Sequence, residues 1–476
     1  MSRLLTPDIC VIGAGSGGLS VAAAAAAFGV DTVLIEKGEM GGDCLNYGCV
    51  PSKALIAAGK AARHAEEAER FGVTVPRVDV DFAAVNDHVR KVIATIAPHD
   101  SQERFEGLGV TVIRAPARFR DSRTVVAGEA EIRARRFVVA TGSSPLVPPI
   151  PGLEGVPWHT NETIFTLREC PGHLLVIGGG PIGLELAQAH RRLGARVTVV
   201  EAARAMPRED PELAALVLER LRAEGVELIE GASVTAVSGT AGAIRLTLGE
   251  GDTAREIEGT HLLLAVGRKA NVEGLGLEEA GIAFDRRGIT VGANLRSSNR
   301  RVYAIGDVAG GLQFTHVAGY HAGVVIRALL FRLPARENRE IIPRVTFTDP
   351  QIGHVGLSAE EARARFGTAR VRVLEAAFAG NDRAQAEART DGLVRLVAGR
   401  GGRILGASVV GAGAGEMTNL LSLVVARKLG VRDLAGFVSP YPSLSEAVRR
   451  AAISYYADSA RNPWIRRLIR FLARFG

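Results

Sequence analysis

Residues 8–36 read DICVIGAGSGG, then an alanine-rich stretch, then DTVLIE, and residues 173–201 read HLLVIGGGPIG, a second helix-like stretch and ARVTVVE. Each copy is an apolar run, a Gly-x-Gly-x-x-Gly turn, a helical segment and a second apolar run closed by an acid. That order folds as strand, tight turn, helix and parallel strand, and it limits the architecture more than any other feature of the chain. In the first copy Gly13 permits the turn, Gly15 lets the backbone approach a pyrophosphate, and Gly18 lets the helix pack closely on the strand. The helix start then offers free N–H groups to phosphates, and Glu36 is placed to accept from a ribose hydroxyl. Gly178, Gly180, Gly183 and Glu201 repeat these roles. Two fingerprints imply two dinucleotides. A carboxylate suits a free 2′-hydroxyl and repels a 2′-phosphate, so Glu201 favours NADH, while Arg204 close by leaves NADPH open.

At 476 residues and 47% hydrophobic the chain is long enough for two or three buried cores, and about three domains are expected. Its longest apolar stretch, around Val21 to Phe28, is mostly alanine and falls short of the ~20 residues a membrane span needs. The opening MSRLLTPDIC leaves no room for a secretion signal, so a cytoplasmic location is expected. The net charge of +7 comes from arginines scattered among 51 acids, which argues against a nucleic-acid partner. Four cysteines without a secretion signal do not make a disulfide framework.

Two of those cysteines are five apart, in GGDCLNYGCVPSKAL, which carries Gly42, Cys44, Cys49 and Lys53. Buried small hydrophobes or a metal site are the alternatives, but zinc would want two more close ligands, and neither Cys10 nor Cys170 sits in a second paired motif. No metal site is expected, and a redox pair next to a dinucleotide site is the better reading.

The segment resembles the active-site motif of the class I pyridine nucleotide-disulfide oxidoreductases, the family of lipoamide dehydrogenase, glutathione reductase and mercuric reductase. Further motifs follow in that family's order: VVATGSSP with Thr141 and Gly142, AVGRKAN with Gly267 and Asn271, and RVYAIGDVAG with Gly306 and Asp307. The resemblance implies an α/β fold with two Rossmann-type dinucleotide-binding domains and a C-terminal α+β dimerisation domain. The FAD-binding domain would span 1–150 and 276–340, the NAD-binding domain 151–275 and the interface domain 341–460, where alternating strands and a long amphipathic helix carry no third fingerprint. It also implies FAD and NADH as cofactors and a homodimer whose partner chain completes each active site. Asp307 would bind the flavin's ribityl chain, with Gly42, Thr141, Gly142, Gly306 and Gly267 among the residues lining the nucleotide sites.

On the family's mechanism, hydride passes from nicotinamide to flavin, and the electrons open a Cys44–Cys49 disulfide. Cys49 is then the thiolate on the flavin side and Cys44 the outward attacking thiol, while Lys53 and Glu185 match an ion pair beside the flavin. A thiolate needs a positive or dipolar neighbourhood to hold its pKa down.

One segment departs from the lipoamide dehydrogenase pattern. SPYPSLSE, residues 439–446, keeps the glutamate as Glu446 but has Tyr441 where those members carry a histidine. Histidine exchanges protons near pH 7, whereas tyrosine, with a reference pKa of about 10, stays protonated. Tyrosine here resembles mercuric reductase-like members, yet the C-terminal segment RFLARFG lacks their cysteine pair and no metal-binding domain precedes residue 8. The expectation is an NADH-dependent reductase whose acceptor is a metal ion, a quinone-like molecule or a small disulfide, with dihydrolipoyl dehydrogenase as the alternative.

The segment 461–476, RNPWIRRLIRFLARFG, reads as a basic amphipathic helix with Asn462 as N-cap and Pro463 at its first position. It would pack on the protein's own dimer, or lie against the inner face of a membrane or a membrane-protein partner. It is also the sole support for a reading of another class, a membrane-associated redox sensor or adaptor.

Overall fold

The computed structural model describes residues 3–249, 251 and 254–475. They divide into two compact units, one from residues 3–205 and 224–337, the other from 206–223 and from 338 onward.

The first unit is built on two parallel sheets. In one, the strands run in the order Val302–Ala304, Arg136–Val139, Ile9–Ile12, Thr32–Glu36 and Thr111–Arg114, all parallel. Ile9–Ile12 has no polar residue because both of its faces are covered. Ile9 and Val11 pack with Leu19, Val21, Val324 and Val325. Cys10 and Ile12 turn the other way, onto Phe119, Val125, Ile132 and Phe137. The alanines of helix Ser16–Ala27 let it approach helix Thr315–Leu330 closely, so that a methyl group on Gly17 would sit 3.2 Å from the Ala318 Cβ.

The second sheet runs Val226–Glu230, Arg196–Glu201, His173–Ile177 and His261–Leu264, again all parallel, with helix Pro181–Arg192 following the second glycine turn. An antiparallel sheet of Val234–Thr240, Ala243–Leu248 and Arg255–Gly259 packs its Val237, Ile244 and Leu246 against Leu175, Ile177 and Leu264.

The other unit holds an antiparallel sheet in the order Arg344–Thr346, Gln351–Gly356, Ile404–Gly411, Leu393–Ala398 and Arg372–Ala377. Helices Ala414–Ala426 and Glu446–Ser454 bury Met417, Leu421, Val424, Val448 and Ala451 on it. Helix Pro211–Ala223 belongs to this unit as well, although its sequence lies inside the span expected for the second dinucleotide domain. Its Leu213, Val217 and Leu221 are buried, and Arg395 of the sheet pairs with Asp210 at 2.6 Å and Glu212 at 2.5 Å.

Candidate active site

The two glycine turns show the same construction in detail. Gly13 has φ +106° and Gly178 φ +115°, conformations that disfavour any side chain. A Cβ on Gly18 would lie 1.8 Å from the Gly13 carbonyl oxygen, and one on Gly183 2.1 Å from that of Gly178, so helix and strand touch only because both positions are glycine. A Cβ on Gly15 or Gly180 would instead meet no protein atom within 4 Å, as expected of backbone kept bare for a phosphate.

The strand-end acids hold these turns. Glu36 accepts from the amides of Ala14 at 2.6 Å and Gly38 at 2.7 Å, and Glu201 from those of Gly179 at 2.7 Å and Ala203 at 3.0 Å. Gly42 lies against the first turn, where a methyl group would come within 2.8 Å of the Gly15 Cα.

Cys44 sits in the short helix Gly42–Asn46, and Cys49 is the first residue of helix Cys49–Glu66. Both are free thiols in this structure. The Cys49 sulfur lies 3.3 Å from the hydroxyl of Thr315, itself the first residue of helix Thr315–Leu330. Two helix N-termini therefore converge on one sulfur, and their partial positive charge favours its anion. The Cys44 thiol donates to Cys49, and this bond, with help from Thr315 and the Lys53 charge, brings the Cys49 pKa down to about 6 against the opposing effect of partial burial. Cys44 moves upward for the complementary reasons, its hydrogen bond to Cys49, burial and the neighbouring charge. The pair shares one proton, kept on Cys44.

Lys53, one helical turn beyond Cys49, forms a 2.7 Å ion pair with Glu185 of helix Pro181–Arg192. The side chain of Glu185 is only 7% exposed, so its charge rests on this partner. The two helices come together at Gly59, where a Cβ would be 3.2 Å from the Ala189 carbonyl oxygen. The pair implied by the resemblance is thus formed, and it ties the cysteine helix to the helix of the second fingerprint.

Asp307 follows strand Val302–Ala304, and burial raises its pKa, with a 2.5 Å hydrogen bond from Ser143 working the other way. Its neighbour Gly306, in a left-handed conformation, donates from its amide to His321, which also pairs with Glu337 at 2.9 Å. Arg268 joins the segments around this acid, bonding Ser143 through Nε at 2.7 Å and Asp43 at 3.1 Å. Asn161 donates to the same Asp43 at 3.0 Å. Thr141 and Asn271 spend their polar groups on each other, the hydroxyl donating to the Asn271 carbonyl at 2.8 Å and the amide returning to the Thr141 carbonyl at 2.9 Å. That exchange closes the pairing of Ser143–Pro145 with Arg268–Ala270, beside Gly142 and Gly267.

Tyr441 and Glu446 lie in the other unit. Tyr441 is 72% exposed, and its hydroxyl donates to Asp382 at 3.0 Å. The Asp382 bond, followed by the charges of Asp382 and Glu446, raises the Tyr441 pKa above its ordinary value. Glu446 is the first residue of helix Glu446–Ser454, where a carboxylate complements the helix dipole.

Thr315, Arg268, Ser143, Asp43, Asn161 and Asp382 were not among the residues singled out from sequence. Arg268, Ser143 and Asp43 lie inside the quoted motifs and were within reach of closer reading. Thr315, Asn161 and Asp382 carry no local signal.

A sequence profile of the pyridine nucleotide-disulphide oxidoreductases matches residues 7–322, and one of that family's dimerisation domain matches 342–452. Mercuric reductase of Streptomyces lividans is 34% identical over 462 residues, covering 95% of this chain and 97% of that protein. Dihydrolipoyl dehydrogenase of Bacillus subtilis is 30% identical, covering 94% and 98%. Among solved structures, the Cu(II) complex of the HOCl-induced flavoprotein disulfide reductase RclA from Escherichia coli superposes with a TM-score of 0.82 at 28% identity, covering 92% of this chain and 98% of that one. Paired thiols of unequal acidity, doubled nucleotide turns and likeness over nearly the full length agree: the chain belongs to the pyridine nucleotide-disulphide oxidoreductase family and is an FAD-dependent enzyme of it.

Proposed function

We propose that this enzyme takes electrons from NADH and delivers them through the Cys44–Cys49 pair to a thiophilic metal ion. The residues suit the two cofactors of the family: the bare turn at Gly15, Glu36 and the half-buried Asp307 for FAD, and the equivalent turn at Gly180 with Glu201 for the nicotinamide nucleotide. FAD held by these residues would supply a hydride acceptor for the nicotinamide and a two-electron donor for the disulfide. Opening that disulfide takes two electrons and two protons, and the reduced pair keeps one proton on Cys44 while Cys49 releases the other. Lys53, paired with Glu185, adds positive charge on the side of Cys49.

Tyr441 carries the choice of acceptor. Exchange with a dithiol or disulfide substrate requires a proton to be taken or given at each substrate sulfur, a task for a group that titrates near neutral pH. The Tyr441 phenol keeps its proton more firmly than an ordinary tyrosine because Asp382 and Glu446 face it. A metal cation needs no such help, since it takes only electrons and the thiol protons go to water. Soft cations also prefer thiolate ligands. Two of the relatives' names support this reading, one a mercuric reductase and one solved with Cu(II), while the dihydrolipoyl dehydrogenase stands for the alternative. In the homodimer that the dimerisation domain implies, Tyr441 and Glu446 would complete the partner's site.

Purified holoenzyme assayed with NADH against Hg(II), Cu(II), a quinone and lipoamide tests this directly. The highest kcat/KM is expected with a metal ion. Tyr441→His is expected to raise dihydrolipoamide oxidation near pH 7 by about 10²-fold or more. Wild-type turnover of lipoamide as fast as that of any metal ion would show the acceptor reading to be wrong.

A further inference from the structure

Helix Pro463–Leu472 is capped by Asn462, whose side chain accepts from the Trp464 amide at 2.9 Å. At about 100° per residue, Trp464, Ile465, Leu468, Ile469, Phe471 and Leu472 fall within an arc of about 160°, while Arg466, Arg467 and Arg470 occupy the opposite arc. Phe475 and Arg474 would extend the two faces if the turn continued. Most of this apolar face is open in the single chain: Trp464 is 75% exposed, Ile469 59% and Ile465 36%. Five arginines and no acid lie between residues 461 and 475. Among the described residues, none of Arg466, Arg467, Arg470 and Arg474 pairs with a carboxylate; Arg466 and Arg470 bond only backbone carbonyls.

We propose that this helix is a binding site for an anionic lipid surface, lying in its plane with the apolar face among the acyl chains and the arginines toward the head groups. The electrostatics select this occupant. Arg466 and Arg470 stand one turn apart at i, i+4, a like-charge pair that weakens a helix in water and strengthens it against a negative surface. A second copy of the chain seated on the apolar face would leave the arginines facing solvent with no counter-charge, whereas an anionic lipid surface meets both faces of the helix. No described helix is long and apolar enough to cross a membrane, so the contact is peripheral. The inference concerns a surface that neither cofactor turn nor the cysteine pair uses, and it stands or falls independently of the acceptor.

The test is flotation of the FAD-loaded protein with vesicles of phosphatidylcholine, with and without phosphatidylserine, at low and high salt. Wild type is expected to float with the phosphatidylserine vesicles at low salt only. The emission of Trp464, taken as the difference between wild type and Trp464→Phe, should shift to the blue on binding. Arg467→Ser with Arg470→Ser should weaken binding roughly thirtyfold, and Leu468→Glu with Ile469→Glu should abolish it. Both pairs should keep wild-type flavin content, NADH oxidation and dimer mass, which separates loss of binding from loss of folding. Absence of binding by wild type, or equal binding to neutral vesicles, would overturn the proposal. So would a change of oligomeric state in the Leu468/Ile469 variant with vesicle binding retained, because the face would then be a seam between copies.

Discussion

Cys49 is acidified by what surrounds its sulfur: a thiol donor, a hydroxyl and a lysine one turn on. With a pKa near 6, its thiolate is present from about that pH upward and is lost as pH falls below it, whereas an ordinary cysteine would be mostly protonated at pH 7. Alkylation of the reduced protein, followed by peptide mapping, should give a midpoint near pH 6 for Cys49 and a much higher one for Cys44. Thr315→Val, which removes one donor to the anion, should raise the Cys49 midpoint by about 1 pH unit. An unchanged midpoint would show that the Thr315 hydroxyl does not stabilise the thiolate. At the second fingerprint, the Glu201 carboxylate is held by the amides of Gly179 and Ala203, where a 2′-phosphate would meet its charge. NADH should therefore give the higher kcat/KM, and Glu201→Ala should narrow the gap; a wild-type preference for NADPH would contradict this.

At the level of elements, the two strand–turn–helix units have one geometry, so one substitution made in each separates their roles. Gly18→Ala and Gly183→Ala both push a methyl group into a carbonyl oxygen, an overpacking that costs about 1–3 kcal/mol or more. Gly18→Ala is expected to yield protein with little flavin. Gly183→Ala should retain flavin and show a raised KM for NADH, measurable by absorbance and steady-state kinetics on the same preparations. Both units were legible because strand, turn and helix are contiguous in sequence and each glycine answers a local steric demand. The tail helix was legible for the same reason, its cap and its two faces all lying within a few turns. Thr315 was not, since it reaches Cys49 only through the packing of helix Thr315–Leu330 on the alanine-rich helix Ser16–Ala27. Asp382 was hidden likewise, 59 residues from the tyrosine it bonds. Helix Pro211–Ala223 lies within the span expected for the second dinucleotide domain, yet its apolar face and the Arg395 ion pairs join it to the C-terminal sheet, contacts that no local pattern announces.

Across the whole molecule, one unit carries both fingerprints and the cysteine pair, and the other carries Tyr441, Glu446 and Asp382. The Lys53–Glu185 pair and the close contact at Gly59 hold the cysteine helix and the second fingerprint's helix in one frame. The order of motifs announced this arrangement, while the replacement of histidine by Tyr441 was visible in sequence and its new partner was not. Everything proposed about acceptors depends on the cysteine pair lying in the electron path. The most direct measurement is anaerobic addition of one equivalent of NADH per chain, followed by thiol titration and flavin absorbance. Wild type should gain two reactive thiols while its flavin returns to the oxidised spectrum, and Cys49→Ser should instead hold the electrons on the flavin. A wild-type protein whose flavin bleaches with no new thiols would contradict the account.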